Sequence, residues 1–294
     1  MRIKEKFNIF KLLLCLVLIV YAFSMIALLV WALITSFKEN RDFLIEKNFF
    51  GLPKTWLPQN YTDVWNKLSV PVNLNGVPSK VNVLGLIVYT LLYALGSSLL
   101  TAIAPLLIAY ACSKFNYKFN KVLTSVALFS MALPVVGAQT SMVDVLTKLN
   151  LYNTFLGMYC QKFIYASLYL FIYIGIFKSL SKSYYEAAEI DGANEFQIML
   201  KVMFPLVKNV FFTVVLLYFI TYWNDYNTAM LYLPSYPTLA YGIYNLVYVN
   251  TTPDLNVIPK KMAGCITLAG PIIVLFIIFK DKMMSNLSTG GVKE

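Results

Sequence analysis

Three stretches of this 294-residue chain, residues 12–35, 83–112 and 122–143, run for more than twenty residues without one charged side chain. A hydrocarbon layer about 30 Å thick takes about 20 apolar residues as helix, so each stretch is long enough to cross it. Each is expected to be helical, because an open strand in lipid leaves its backbone groups unpaired. Three further spans are weaker. Residues 159–177 carry Lys162 near one end, which we place at the outer surface with its ammonium snorkelling toward head groups. Residues 210–233 hold Asp225, and residues 262–279 lie between Lys261 and Lys280.

Composition agrees with lipid as the solvent. Apolar residues make up 59% and charged residues 13%, against about one quarter charged in an ordinary soluble domain. The net charge of +10 would raise nucleic acid as a partner in a soluble protein. Here it is accounted for by lysines flanking the spans, which orient a membrane protein and meet anionic lipid. Histidine is absent, which removes His-dependent triads, HExxH zinc sites and histidine proton relays. Cys15, Cys112, Cys160 and Cys265 lie in or beside apolar segments with no CxxC pair, so they give neither a disulfide framework nor a metal site.

Orientation follows from lysine and arginine. With the amino terminus inside, residues 1–11, 113–121, 178–209 and 280–294 are cytoplasmic and hold 14 basic residues, against 10 in the longer outer segments. Both termini are therefore expected in the cytoplasm, as a tail of residues 1–11 and another of 281–294 around a membrane domain of residues 12–280. The first span follows a basic leader but has no small-residue cleavage site after it, and reads as a retained anchor. The outer segment 36–82, with Pro53, Pro58, Pro71 and Pro78, reads as an irregular cap. Pro105, Pro134 and Pro271 fall inside spans and suggest kinks.

The cytoplasmic loop 178–209 reads as two short helices. Ser183 with Glu186 fits a capping box, Gly192 suits the left-handed turn that ends the first helix, and Asn194 with Gln197 fits a second box. Pro205 then opens the fifth span. The run EAAEIDGANEFQIMLKVMFPL resembles the coupling loop of type I ATP-binding-cassette (ABC) importer permeases: EAA, three residues, Gly, nine residues, Ile-x-Leu-Pro. Glu186, Ala187, Ala188, Gly192 and Pro205 fall in register, while Val202 and Phe204 depart from the pattern. ITSFK at the end of the first span, YWNDY in the fifth and the terminal GGVKE are similar to the carbohydrate branch, particularly the smaller maltose-permease-type subunit.

The resemblance implies an all-α protein of six transmembrane helices whose loop 183–205 docks on a separate ATPase. That ATPase would hold ATP and Mg; this chain has no GxxxxGK[ST] loop, binds no cofactor and is itself no enzyme. Glu186 would offer a carboxylate to a basic group there, and Ala187 and Ala188 would permit close seating. A second permease subunit, an extracellular solute-binding protein and a carbohydrate cargo are implied as partners. Amino-acid or peptide import is the alternative within the family. An ion-coupled carrier using Asp225 is the alternative outside it.

In the fifth span Tyr222, Trp223, Asn224, Asp225 and Tyr226 crowd polar and aromatic groups into one turn and a half. They suit a sugar path, with rings stacking on sugar faces, and equally an interfacial aromatic belt.

Overall fold

A computed structural model describes residues 9–74, 76–115, 117–133, 137–249 and 253–288. Four helical stretches among them are long and apolar enough to cross a membrane: Ile9–Ser36, Val83–Lys114, Glu195–Trp223 and Ile258–Lys280. The chain divides into two compact units, Met1–Leu68 with Asn245–Gly270, and Ser69–Tyr244 with Pro271–Glu294.

The first unit opens on α1 (Ile9–Ser36), whose apolar side chains are exposed nearly to its end. Only its last turn is buried, and there the Ser36 hydroxyl meets the Tyr61 hydroxyl at 2.6 Å. Lys38 is fully buried and donates to the carbonyls of Asn48, at 2.6 Å, and Phe49, at 3.3 Å. Asn60 donates to the carbonyls of Ser36 and Lys38, each at 2.9 Å. Segment 36–68 is irregular over residues 45–58, as expected, and two short helices, α2 (Asn40–Leu44) and α3 (Gln59–Lys67), pack beside these buried groups. Asp63 of α3 pairs with Lys260 at 2.6 Å, at the start of α14 (Ile258–Ser288).

The second unit begins with a β-hairpin, β1 (Ser69–Leu74) and β2 (Val77–Asn82), in the register Ser69↔Asn82 to Leu74↔Val77. It departs from the all-α expectation. Pro71 and Pro78 are accommodated because both strands of a two-stranded ribbon are edges. Asn82 then caps α4 (Val83–Lys114) by accepting from the Gly85 N–H at 3.0 Å.

Helix α4, about 48 Å long at about 1.5 Å per residue, is the spine of this unit. It packs against α8 (Leu168–Ser179) and α11 (Phe204–Trp223). Its buried face carries Ala94, Ser97, Ser98, Thr101, Ala102 and Ala109, small residues that let helices approach closely where no hydrophobic force favours association over lipid. Leu106 and Tyr110 of α4, Leu170, Tyr173 and Phe177 of α8, and Val207, Phe211 and Val214 of α11 form the core between them.

Three of the expected spans are interrupted. Residues 122–143 divide between α5 (Lys118–Ala132) and α6 (Ala138–Lys148), which follows Gly137 in the left-handed conformation. Pro134 lies outside the described residues. Residues 159–177 divide between α7 (Phe155–Lys162) and α8. Residues 210–233 run through α11, break at 224–226 and resume as α12 (Asn227–Tyr232), which α13 (Leu239–Tyr244) follows.

Candidate functional site

Two regions of the second unit gather the residues that the sequence singles out. The first is the loop after α8. Helix α9 (Ser183–Ile190) begins with Lys182 already in helical conformation, so the expected Ser183–Glu186 box does not form. The Ser181 hydroxyl instead accepts from the Ser183 N–H at 3.3 Å, and Glu186 is left projecting outward. Gly192 takes φ +77°, as a left-handed terminus requires, with open space where a Cβ would stand. The Asn194–Gln197 box is formed in both directions, at 2.9 and 3.0 Å, and caps α10 (Glu195–Gln197). A π-helical turn, Ile198–Met203, joins α10 to α11, where Pro205 stands in the first turn. The loop's second helix is therefore continuous with a membrane-length helix.

The two alanines face opposite ways. Ala188 is buried in the core with Ile198 and Met203, whereas Ala187 is exposed beside Glu186. Ile190 is 86% exposed and Phe196 69%, with Tyr184 and Leu200 also open. An apolar patch flanked by Glu186 and Asp191 is what a partner surface looks like. Behind α9 lies a cavity of about 310 Å³ lined by Tyr110, Ser113, Lys114, Tyr185, Glu186 and Glu189. Lys114, at the end of α4, pairs with Glu195 and lies 3.2 Å from the centre of the Tyr185 ring.

The second region is the break after α11. Asn224 folds back to donate to the Ile220 carbonyl at 2.9 Å, and Asp225 accepts from the Thr228 N–H at 3.0 Å. These bonds compete with the helical ladder and stop it. The other Asp225 oxygen accepts from the Tyr93 hydroxyl at 2.7 Å. Tyr222 bonds to Thr101 at 2.9 Å, and Thr101 bonds to the Lys162 carbonyl at 3.0 Å. The Lys162 ammonium sits 4.9 Å from the Tyr222 ring centre, so it turns onto an aromatic face instead of snorkelling away.

Of the five residues proposed for the path, Tyr222 and Trp223 are buried, at 8% and 3% exposure. Asn224 and Tyr226 are exposed and Asp225 is half-buried. Tyr226 stacks on Tyr244, ring centres 4.6 Å apart and planes 8° from parallel. Tyr169, Tyr218, Tyr222 and Tyr93 form a chain of ring contacts between 5.1 and 6.0 Å. Sequence reasoning passed over Tyr93, Thr101 and Tyr244. A polar stripe at 90, 93, 97 and 101 on α4 was the available signal for the first two.

Residues 102–282 match the family described as "Binding-protein-dependent transport system inner membrane component". The chain is similar to the sulfoquinovosyl glycerol transport system permease protein SmoH of Agrobacterium fabrum, 24% identical over 90% of this chain and 87% of that one. It is also similar to the melibiose/raffinose/stachyose import permease protein MelC of Bacillus subtilis, 27% identical over 67% of this chain and 71% of that one. Its fold is shared with a chain of a bacterial ABC transporter involved in the import of the acidic polysaccharide alginate. That match has a TM-score of 0.75 and 21% identity, over 94% of this chain and 99% of the other.

Proposed function

We propose, since the chain belongs to the family of binding-protein-dependent transport system inner membrane components, that it is the permease subunit of an ATP-driven carbohydrate importer. The carrying observation is the exposed surface of α9 and α10. Glu186, Ala187, Ile190 and Phe196 project from a hairpin whose turn is fixed by Gly192 and whose second arm runs into α11. A separate ATPase docks on this surface, and closure on nucleotide moves the hairpin as a rigid body. The carbohydrate cargo is supported by the relatives named for sulfoquinovosyl glycerol and for melibiose, raffinose and stachyose.

The chain crosses the membrane six times, with both termini and residues 178–209 in the cytoplasm. The interrupted helices α5/α6, α7/α8 and α11/α12 make the third, fourth and fifth crossings. Breaks at membrane depth are tolerated where side chains re-satisfy the freed backbone, as Thr228 N–H finds Asp225. Asn224, Asp225 and Tyr226 face the sugar path, with the Tyr226–Tyr244 stack as a platform for a sugar ring. The partners are ATPase subunits, a second permease and an extracellular binding protein.

Affinity purification of the tagged chain in mild detergent tests the assignment. An ATPase subunit and a binding protein that takes up a carbohydrate should co-purify; a complex without an ATPase would overturn it. Topology is read separately with Ile190→Cys in a cysteine-free background. Labelling by an impermeant reagent should occur only after the membrane is opened.

A further inference from the structure

Motion of the docked hairpin has an obvious route into the membrane along the backbone, from α10 through the π turn to α11. A second link joins the same hairpin to α4. Lys114, in the last turn of α4, pairs with Glu195, the first residue of α10. The Lys114 side chain is only 13% exposed although it is charged. It lies against the Tyr185 ring on α9, and the Tyr185 hydroxyl is 2.5 Å from the other Glu195 oxygen and 3.0 Å from Glu189. One ammonium is therefore held by both arms of the hairpin at once.

What α4 meets farther along makes this link more than local. Thr101 of α4 bonds to Tyr222 and Tyr93 to Asp225, at the break that ends α11. Tyr93 and Lys114 are 21 residues apart on one continuous helix, or about 32 Å at about 1.5 Å per residue. The hairpin and the break are thus joined twice: covalently through α11, and through α4 by one ion-pair cluster and two hydrogen bonds. Two struts fixed at both ends convert a displacement of the hairpin into a change at the break.

We propose that Lys114, with Glu195 and Tyr185, is a coupling clasp: a positioning cluster that makes α4 the second strut by which ATPase closure reaches the α11–α12 break. This rests on the importer reading above. The clasp touches neither nucleotide nor cargo and acts through α4. Lys114→Met frees α4 from the hairpin while leaving an apolar stem of similar reach, and Glu195→Gln removes the charge at the more exposed partner. The exchange Lys114→Glu with Glu195→Lys restores opposite charges in reversed order.

The test is the number of cargo molecules imported per ATP hydrolysed, in proteoliposomes holding the whole complex with its loaded binding protein. Coupling energies of this kind span about 5- to 150-fold. We expect Lys114→Met and Glu195→Gln to lower the ratio about tenfold in the complexes that assemble, and the double exchange to recover most of it. A clasp that serves only folding would reduce the amount of complex and leave the ratio at its wild-type value. That result, or failure of both single variants to assemble, would overturn the proposal. Absence of ATP-driven import by the wild-type complex would instead overturn the importer reading itself.

Discussion

Tyr93 on α4 donates its hydroxyl to Asp225 at 2.7 Å, tying the middle of the second unit to the break between α11 and α12. The same carboxylate accepts the Thr228 N–H at the start of α12. Both oxygens of Asp225 are engaged, so its first task is to hold the break in place. Asp225→Asn keeps an acceptor for either donor, whereas Asp225→Ala leaves two donors without one. We expect the alanine variant to lose about 1–3 kcal/mol of stability, read as a lower thermal midpoint in detergent, with the asparagine variant between it and wild type. Equal losses in the two variants would argue against the brace.

The neighbouring rings separate packing from transport. Trp223 is buried against Phe219, ring centres 5.7 Å apart. Trp223→Ala opens a cavity costing about 3–5 kcal/mol, so folded yield should fall before any effect on uptake can be read. Tyr226 is exposed on Tyr244. Tyr226→Ala should give a normal yield on size exclusion with reduced uptake. Wild-type uptake by that variant would remove Tyr226 from the path.

The extent to which this architecture was readable from sequence depends on what each feature costs in charge. Helices α1, α4 and α14 announce themselves because lipid excludes charge from the long stretches 12–35, 83–112 and 262–279 within them. The break at 163–167 does not, because Phe163, Ile164, Tyr165, Ala166 and Ser167 leave the hydropathy of the span intact, whereas the break at 224–226 was signalled only by Asn224 and Asp225 inside an otherwise apolar run. The β-hairpin hid behind Pro71 and Pro78, although Asn75-Gly76 is a strong signal for a two-residue turn. In the loop, the Asn194 box and the Gly192 turn form as expected, since both depend on local chemistry. The Ser183 box does not, because Ser181 supplies a competing hydroxyl two residues earlier. Tyr93 and Lys114 were not legible as partners of Asp225 and Glu195, because each pairing is made by tertiary packing across many residues of chain.

Gly192 gives a sharp backbone test. Its φ of +77° is open to glycine and less readily to asparagine, while a β-branched residue is strained there by about 1–2 kcal/mol. Among the described residues nothing lies within 4 Å of an added Cβ, so strain alone is being varied. Gly192→Val should reduce the stimulation of ATP hydrolysis by loaded binding protein, and Gly192→Asn should retain most of it. The same loss in both would point to the surface of the turn instead of its conformation.

Acid sensitivity is expected in the first unit. The Lys260 ammonium, bonded to Asp63 at 2.6 Å, holds the Asp63 carboxyl below its usual range. A carboxyl whose folded value lies below its unfolded one, about 3.9, contributes stability that is present above about pH 4. That stability is lost as pH falls through the depressed folded value. The difference in thermal midpoint between wild type and Asp63→Asn should therefore be largest near neutrality and shrink in acid. A difference that grows below pH 4 would contradict the assignment.

The most direct test of the whole account is the ATP hydrolysis rate of the detergent-purified complex, measured with and without loaded binding protein, for wild type and Glu186→Ala. Glu186 is exposed and makes no cap, so the variant should fold and insert as wild type does. The account requires an ATPase subunit in the wild-type complex, stimulation by the loaded binding protein, and loss of most of that stimulation in Glu186→Ala. A wild-type chain that purifies without an ATPase, or stimulation equal in the two complexes, would contradict it.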